Sequence, residues 1–350
     1  MRRLPIYFLI DISESMVGEP IQAVEDGMAT IIKAIKTDPH AIETVWISII
    51  VFAGQAKTLV PLQEVVSFYP PKFPIGGGTS LSKGLGHLMY ELRSNIVKTT
   101  LDQKGDWKPI VFLFTDGVPT DETKTVIAEW KQNWQRTANM VAVSFGDEAD
   151  VSVLKELTEN VLHFKNATDE DYKKFFKWVT DSIKTSSVSV ENNKSGFELA
   201  ELDGSTISKI DLEKVTRPKQ FVDNNYVVLA AKCQNTKRPY LMKYRKVVNQ
   251  SEVNGLDLQT LSYRLVGGFQ VSDSYFEFCD PNESKFKVNS EELMGAPSCP
   301  CCGNQFGFAM CICGKIHCIG NEKMSTCPWC GNQGTYKSGE GGFDVNRTQG

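Results

Sequence analysis

The segment "LPIYFLIDISES", residues 4–15, contains the pattern that decides the fold. Its apolar run does not alternate with polar residues, which is typical of a strand that is covered on both faces in a parallel sheet. The run ends at Asp11, and two hydroxyl side chains follow at alternate positions, Ser13 and Ser15. A carboxylate and two hydroxyls therefore lie where a buried strand gives way to a loop.

Four further segments share the buried-strand pattern, and they span residues 45–53, 109–115, 140–145 and 161–164. Apolar residues at helical spacing lie between or after them, within residues 21–35, 81–92 and 172–183. Strands that alternate with helices predict an α/β fold, a doubly wound, mainly parallel, Rossmann-like sheet. Residues 56–62 follow the second strand too closely for a helical crossover, so we expect them to form an antiparallel hairpin with it.

The pattern changes along the rest of the chain, and it predicts five regions. They are an α/β domain at 1–185, a polar linker at 186–220, a β-rich region at 221–298, a small zinc-ribbon-like module at 299–331 and a flexible Gly-rich tail at 332–350. The cysteines mark the module, because eight of the ten lie between Cys299 and Cys330.

Bulk properties favour a cytoplasmic protein that binds neither a membrane nor nucleic acid. The net charge of −4 gives no general attraction to nucleic acid. Asp11 closes the first apolar stretch and no small-residue cleavage site follows, so a signal peptide is not indicated. No apolar run approaches the roughly 18 residues that a membrane-spanning helix needs.

Three stretches should meet at the carboxyl edge of the sheet, where ligands bind in open α/β folds. They are the end of the first strand, "GGGTS" at 76–80 and "FTDGVPTD" at 114–121. The candidate metal ligands there are Asp11, Ser13, Ser15, Thr79 and Asp116. Because every donor is an oxygen, the set favours Mg²⁺, with Mn²⁺ or Ca²⁺ as alternatives. Two carboxylates only just balance the ion, which leaves it able to accept a further carboxylate.

The cysteine module contains two CPxCG knuckles, Cys299 with Cys302 and Cys327 with Cys330. Cys311, Cys313, His317 and Cys318 lie between them, which makes eight candidate ligands for one to two tetrahedral Zn²⁺. One ion held by both knuckles is the minimum expectation. Adjacent strand residues point to opposite faces, so His317 and Cys318 need not serve the same ion. An all-cysteine knuckle leaves no open position for water, so we expect a structural role.

The pattern DxSxS at Asp11, followed by Thr79 and Asp116, resembles the von Willebrand factor A domain and its metal-ion-dependent adhesion site. The resemblance implies that the serines and Thr79 coordinate the metal, and that the aspartates act directly or through water. The C-terminal pattern CPxCG…CxCG…HC…CPxCG resembles the TerY-type proteins of bacterial tellurite-resistance and stress systems. That resemblance implies a non-enzymatic component whose partners are a protein kinase and a PP2C-type phosphatase.

We therefore expect a protein-interaction role in which Mg²⁺ binds an acidic side chain of a partner. The loops 16–19, 74–78 and 117–121 should then set specificity, with Glu19 and Lys72 as candidates.

Two alternatives belong to other functional classes. One is a metal-dependent hydrolase or phosphatase-like enzyme on the same scaffold. A haloacid-dehalogenase-type phosphatase needs a second Asp where Ser13 stands, and "GGGTSLSKG" lacks the Gly-Lys-Ser/Thr of a P-loop. Nucleic-acid binding through the zinc module is disfavoured because the module has few basic residues.

Overall fold

The computed structural model describes most of the chain. The described residues are 2–102, 104–116, 118–145, 151–164, 169–191, 200, 208–209, 225–253, 256–281, 286–305, 307–320, 324–336 and 341–348. They form two sheets of six or more strands, one in each half of the chain.

The N-terminal sheet has the order β3-β2-β1-β4-β5-β6-β7. Its strands are β1 (Leu4–Asp11), β2 (Val45–Phe52), β3 (Ala56–Glu64), β4 (Ile110–Thr115), β5 (Asn139–Phe145), β6 (Val161–Phe164) and β7 (Ser208–Lys209). The five inner strands are parallel, and β3 and β7 are antiparallel at the two edges. The predicted mainly parallel sheet and the predicted hairpin are both confirmed.

Helices cover both faces of this sheet. They are α1 (Glu19–Lys36), α2 (Pro39–Thr44), α3 (Leu81–Asn95), α4 (Lys124–Asn133), α5 (Val151–Leu157) and α6 (Asp169–Glu191). In β1, Ile6 and Phe8 pack in the core formed with α1 and α6, whereas Tyr7 and Leu9 pack in the core formed with α3, α4 and α5. Both faces of the strand need apolar side chains, which explains why the sequence does not alternate.

The position of β1 brings the predicted oxygen ligands together. β1 lies between β2 and β4, so the strand order reverses next to it, and Asp11 ends the strand at the carboxyl edge. In open α/β sheets such a reversal opens a crevice between neighbouring loops. The loop after β1 and the loop after β4 therefore face each other across this crevice.

The C-terminal half forms a second sheet in the order β12-β10-β9-β8-β14-β13. Its elements are β8 (Tyr226–Lys232), β9 (Pro239–Val253), β10 (Leu256–Gln270), α7 (Tyr275–Phe278), β11 (Lys287–Asn289), β12 (Leu293–Met294), β13 (Phe308–Met310), β14 (Ile316–Cys318), β15 (Ser325–Thr326), β16 (Gln333–Gly334) and β17 (Asp344–Asn346). β9 and β10 form a long antiparallel hairpin. β14, from the cysteine-rich module, pairs in parallel with β8.

The predicted region boundaries need correction in the C-terminal half. Because β14 pairs with β8, residues 221–298 and 299–331 are parts of one domain rather than two. The predicted flexible tail is wrong at its described end, because β17 pairs with β11 and Val345 is fully buried.

The predicted linker also differs from the structure. α6 continues to Glu191, and β7 joins the N-terminal sheet by pairing with β6. Residues 192–199, 201–207 and 210–220 of the predicted linker lie outside the described residues. No described helix combines the length and apolar character needed to cross a membrane.

Two glycines provide a matched test of helix packing. A Cβ on Gly27 in α1 would lie 2.1 Å from the Phe176 ring, whereas a Cβ on Gly86 in α3 would meet nothing within 4 Å. We expect Gly27→Ala to lower the free energy of unfolding by roughly 1–3 kcal/mol, because α6 must move away from α1. Gly86→Ala should raise it by about 0.5–1 kcal/mol, since alanine favours the helix.

Urea denaturation of the two variants beside the wild type measures this difference. Equal shifts in the same direction would contradict the close packing of α1 against α6.

Candidate metal centres

The carboxylate of Asp11 is held by donors on both of its oxygens. The backbone N–H of Ser13 donates to Oδ1 at 2.9 Å, and the Thr115 hydroxyl donates to Oδ2 at 2.6 Å. Ser13 ends the extended segment that begins in β1, and Glu14–Met16 then form one 3₁₀ turn. This turn directs both serine hydroxyls toward the same point.

Hydrogen bonds join the two serines to the loop after β4. Ser13 Oγ and Ser15 Oγ are 2.9 Å apart, and the Ser15 hydroxyl donates to Asp116 Oδ1 at 2.8 Å. Ser15 and Asp116 are 101 residues apart in the chain. The structure therefore brings Asp11, Ser13, Ser15 and Asp116 into one connected group.

Thr79 lies on the glycine-rich loop, residues 76–80, which is held next to this group. This loop is tied to the loop after β1 because Gly76 N donates to Ile12 O at 2.8 Å. It is tied to the loop after β4 because Thr79 N donates to Thr120 Oγ1 at 3.0 Å and Thr120 N donates to Thr79 O at 2.9 Å. The hydroxyl of Thr79 is buried and has no hydrogen-bond partner among the described residues.

Three properties of this group favour a hard cation: its oxygen donors, the burial of its side chains, and the Thr79 hydroxyl without a hydrogen-bond partner among the described residues. Its donors are all oxygens, which Mg²⁺ prefers. Asp11, Ser13, Ser15 and Thr79 are each 1% exposed or less, and burial raises the pKa of Asp11 to about 6. A cation would offset the cost of that buried carboxylate and would supply the partner that the Thr79 hydroxyl lacks.

Asp121 is a supporting residue that the sequence interpretation missed. Its Oδ2 accepts hydrogen bonds from the hydroxyls of Ser80 and Ser82 and from the backbone N–H of Ser82. These contacts fix the loop after β4 to the first turn of α3, directly beside Thr79. The acid at the end of "TDGVPTD" was visible in the sequence, but nothing in its spacing pointed to α3.

Two clusters of four cysteines lie in the C-terminal domain. Cluster one contains Cys233, Cys299, Cys302 and Cys318, and cluster two contains Cys311, Cys313, Cys327 and Cys330. The sulfurs of each cluster lie within 4.8 Å of one another, and several pairs are 3.6–4.0 Å apart. A tetrahedral site with Zn–S bonds of about 2.3 Å has sulfur–sulfur edges of about 3.8 Å. Both clusters therefore match the geometry of a Cys₄ zinc site.

The two knuckles belong to different clusters. Cys299 and Cys302 are in cluster one, whereas Cys327 and Cys330 are in cluster two. The expectation that both knuckles hold one ion is therefore wrong. Cys301, inside the first knuckle, is in neither cluster.

His317 was predicted as a ligand, and the structure assigns it to neither cluster. Its Nδ1 lies 2.9 Å from the Cys318 carbonyl oxygen, and its Nε2 lies 2.8 Å from the Tyr336 hydroxyl. Both ring nitrogens are therefore engaged away from the sulfurs. Cys233 is the eighth member of the two clusters, in the place that the sequence interpretation gave to His317.

Cys233 begins a turn with the same backbone geometry as the two CPxCG knuckles. In each CPxCG knuckle, the backbone N–H of the glycine donates a hydrogen bond to the carbonyl oxygen of the first cysteine, four residues earlier. Both glycines have a positive φ, 72° at Gly303 and 77° at Gly331. Lys237 makes the same contact with the Cys233 carbonyl at 3.0 Å, and its φ is 62°. Residues 233–237 thus form a third knuckle, with Thr236 where the second cysteine would stand.

Electrostatics in the clusters favour a cation. Burial opposes ionisation of the Cys233 thiol, but hydrogen bonds from Thr236, the Asn235 backbone and the Cys302 side chain together outweigh it and lower its pKa to about 7. Burial raises the pKa of Cys318, in the same cluster, to about 12. Four thiolates can therefore coexist only if a metal ion compensates their charge.

Comparisons with known proteins agree with this two-part organisation. Residues 6–178 match the von Willebrand factor type A domain, and residues 223–350 match the TerY-C metal binding domain. No curated protein matches the chain.

Similar solved structures share little sequence with the chain. Proximal thread matrix protein 1 from the mussel byssus, with a zinc-occupied MIDAS motif, is 19% identical over 53% of this chain and 46% of its own, with a TM-score of 0.38. The ArnB paralog VWA2 from Sulfolobus acidocaldarius is 11% identical over 78% and 66%, with a TM-score of 0.39.

A von Willebrand factor type A protein from Catenulispora acidiphila is also 11% identical, over 77% of this chain and 66% of its own, with a TM-score of 0.39. The chain spans about half the length of the mussel proteins. With an A domain followed by a TerY-C domain, the chain is a TerY-type von Willebrand factor A protein with a C-terminal metal-binding domain.

Proposed function

We propose that the protein is a non-enzymatic interaction component that captures an acidic side chain of a partner through Mg²⁺. The ion is held by Asp11, Ser13, Ser15, Thr79 and Asp116. The observation that carries the proposal is the buried Thr79 hydroxyl, which has no partner among the described residues although four oxygen-bearing side chains converge beside its loop.

The ligand count supports capture of a carboxylate. Mg²⁺ takes about six oxygens in an octahedron and usually keeps several waters. Three neutral hydroxyls and two carboxylates leave the ion electrophilic and leave a position open to an incoming Asp or Glu. All five groups act as ligands, so the motif contains no separate general base for hydrolysis.

We propose a smaller partner-binding surface than the three predicted specificity loops, and the burial of two of those loops supports it. Val17 and Ile75, from two of the three predicted specificity loops, are buried against the C-terminal domain. Lys72 forms an ion pair with Glu25 at 2.8 Å, so it is engaged with α1. Residues 118–122 after β4 are half-buried or exposed, and we assign partner specificity to this loop together with the exposed Glu19.

The biological setting follows from the resemblance to TerY-type proteins. We propose a phosphorylation-linked tellurite-resistance or stress system in the cytoplasm, with a protein kinase and a PP2C-type phosphatase as the partners. Reduced cytoplasmic thiols fit the free cysteines of both clusters.

Replacing Thr79 tests the function. Thr79→Ala removes one oxygen ligand, so we expect Mg²⁺ affinity to fall at least about tenfold, measured by titration calorimetry on protein with unchanged zinc content. Thr30→Ala is the matched control, because Thr30 lies on the exposed face of α1 and donates only to its own helix. The kinase or phosphatase should be recovered from native cells with wild type and Mg²⁺, and lost with Thr79→Ala.

Omitting Mg²⁺ from the wash should reproduce the effect of Thr79→Ala without stripping zinc. If the same partner is recovered in all conditions, metal-bridged capture is wrong and recognition belongs to the C-terminal domain.

For the sulfur clusters we propose two structural Zn²⁺ per chain. Cys233→Ser should lose one zinc by elemental analysis, because it removes a ligand of cluster one. His317→Gln should keep both, since the histidine is engaged with Cys318 and Tyr336 instead. Loss of zinc from His317→Gln with full retention in Cys233→Ser would reverse the ligand assignment.

A further inference from the structure

The C-terminal domain packs directly on two of the three loops that carry the oxygen ligands. One is the loop after β1, and the other is the glycine-rich loop that precedes Thr79. The buried apolar residues of the contact include Val17, Ile75, Val228, Leu241, Val271 and Tyr275. The oxygen site is therefore supported by residues from both domains.

Glu14 connects three segments at this contact. It lies between Ser13 and Ser15 and is fully buried. Its Oε2 accepts a hydrogen bond from Gly78 N at 2.8 Å, and its Oε1 accepts one from the Tyr275 hydroxyl at 2.7 Å. One carboxylate thus holds the serine turn, the residue before Thr79 and α7 of the C-terminal domain.

Lys243, from β9, holds the same turn from another side. Its ammonium group donates to the carbonyls of Ser15 and Val17, the latter at 3.2 Å, and the residue is 4% exposed. A buried ammonium needs such acceptors because water no longer solvates it. The backbone next to the Ser15 ligand is therefore fixed by a side chain of the other domain.

The glycines of the 76–80 loop allow this close approach. A Cβ on Gly76 would lie 2.4 Å from Phe278 Cβ, and a Cβ on Gly77 would lie 2.8 Å from Cys279 Sγ. Both neighbours belong to α7 or to the residue after it. Among these glycines only Gly78 has a positive φ, 87°, so the other two serve the domain contact.

We propose that Tyr275 and Lys243 are positioning residues of the oxygen site, through which the C-terminal domain sets Mg²⁺ affinity. Tyr275 acts through Glu14 on both the serine turn and Gly78, and Lys243 acts on the backbone of Ser15. The proposal rests on the proposed Mg²⁺ function. Coupling of this kind is reciprocal, so Mg²⁺ in turn stabilises the packing of the two domains.

A purely structural contact makes a different prediction. It would lower the stability of each variant and leave Mg²⁺ affinity of the folded protein unchanged. Mg²⁺ affinity therefore separates a positioning role from a structural one.

The principal test is Tyr275→Phe in the full chain, which removes only the hydroxyl and leaves the charge unchanged. Calorimetric titration with Mg²⁺ should show roughly fivefold weaker binding, with two zinc ions retained. Tyr244→Phe is the matched control, because it removes another hydroxyl hydrogen bond in the same domain, to Gly295 O at 3.2 Å. This control should bind Mg²⁺ like the wild type.

Lys243→Met is an independent test, because the charge effect and the positioning effect change Mg²⁺ affinity in opposite directions. Removing a positive charge near the site would by itself tighten Mg²⁺ binding. Loss of positioning should instead weaken it, again by about fivefold. Unchanged or tighter binding in Lys243→Met, or wild-type binding in Tyr275→Phe, overturns the proposal. A wild-type protein that does not bind Mg²⁺ at all overturns the proposed function itself.

Discussion

The structure depends on the burial of two carboxylates at the carboxyl end of the central strand. Asp11 and Glu14 are both fully buried, and an isolated buried carboxylate is costly unless donors or cations surround it. Thr115 and the Ser13 N–H satisfy Asp11, whereas Gly78 and Tyr275 satisfy Glu14. Each donor comes from a different segment of the chain. The need to satisfy both carboxylates therefore holds four segments in place around the oxygen site.

Much of the N-terminal fold could be predicted because the information is local. The apolar run of β1 covers both faces of the sheet, and the DxSxS turn follows it at once. Thr79 precedes a helix and Asp116 follows a strand. The order of these elements was therefore enough to predict that both residues lie near Asp11. The role of Glu14 could not be predicted, because its partner Tyr275 is 261 residues away. The position of Glu14 between Ser13 and Ser15 carries no local signal that its side chain is buried.

The cysteine ligands show the same limit. The two CPxCG knuckles could be recognised in the sequence because each has two cysteines three residues apart and a glycine directly after the second. Residues 233–237 adopt the same turn with Lys237 at positive φ, a conformation that non-glycine residues rarely take, so the turn was invisible in the sequence. Which knuckle joins which cluster depends on the pairing of β14 with β8, and no local pattern encodes that pairing.

The sulfur and oxygen sites are linked through one strand pair. β8 contributes Val228 to the domain contact and leads into Cys233 of cluster one, and Val228 lies opposite Lys243 in the β8–β9 register. The turn that begins at Cys233 connects β8 to β9. A metal ion bound at cluster one would therefore fix the register of the two strands at the end where this turn joins them. A slip of one residue would turn Lys243 to the opposite face of the sheet, away from Ser15. A metal ion at cluster one would therefore influence the oxygen site from a distance, by fixing which face of β9 presents Lys243.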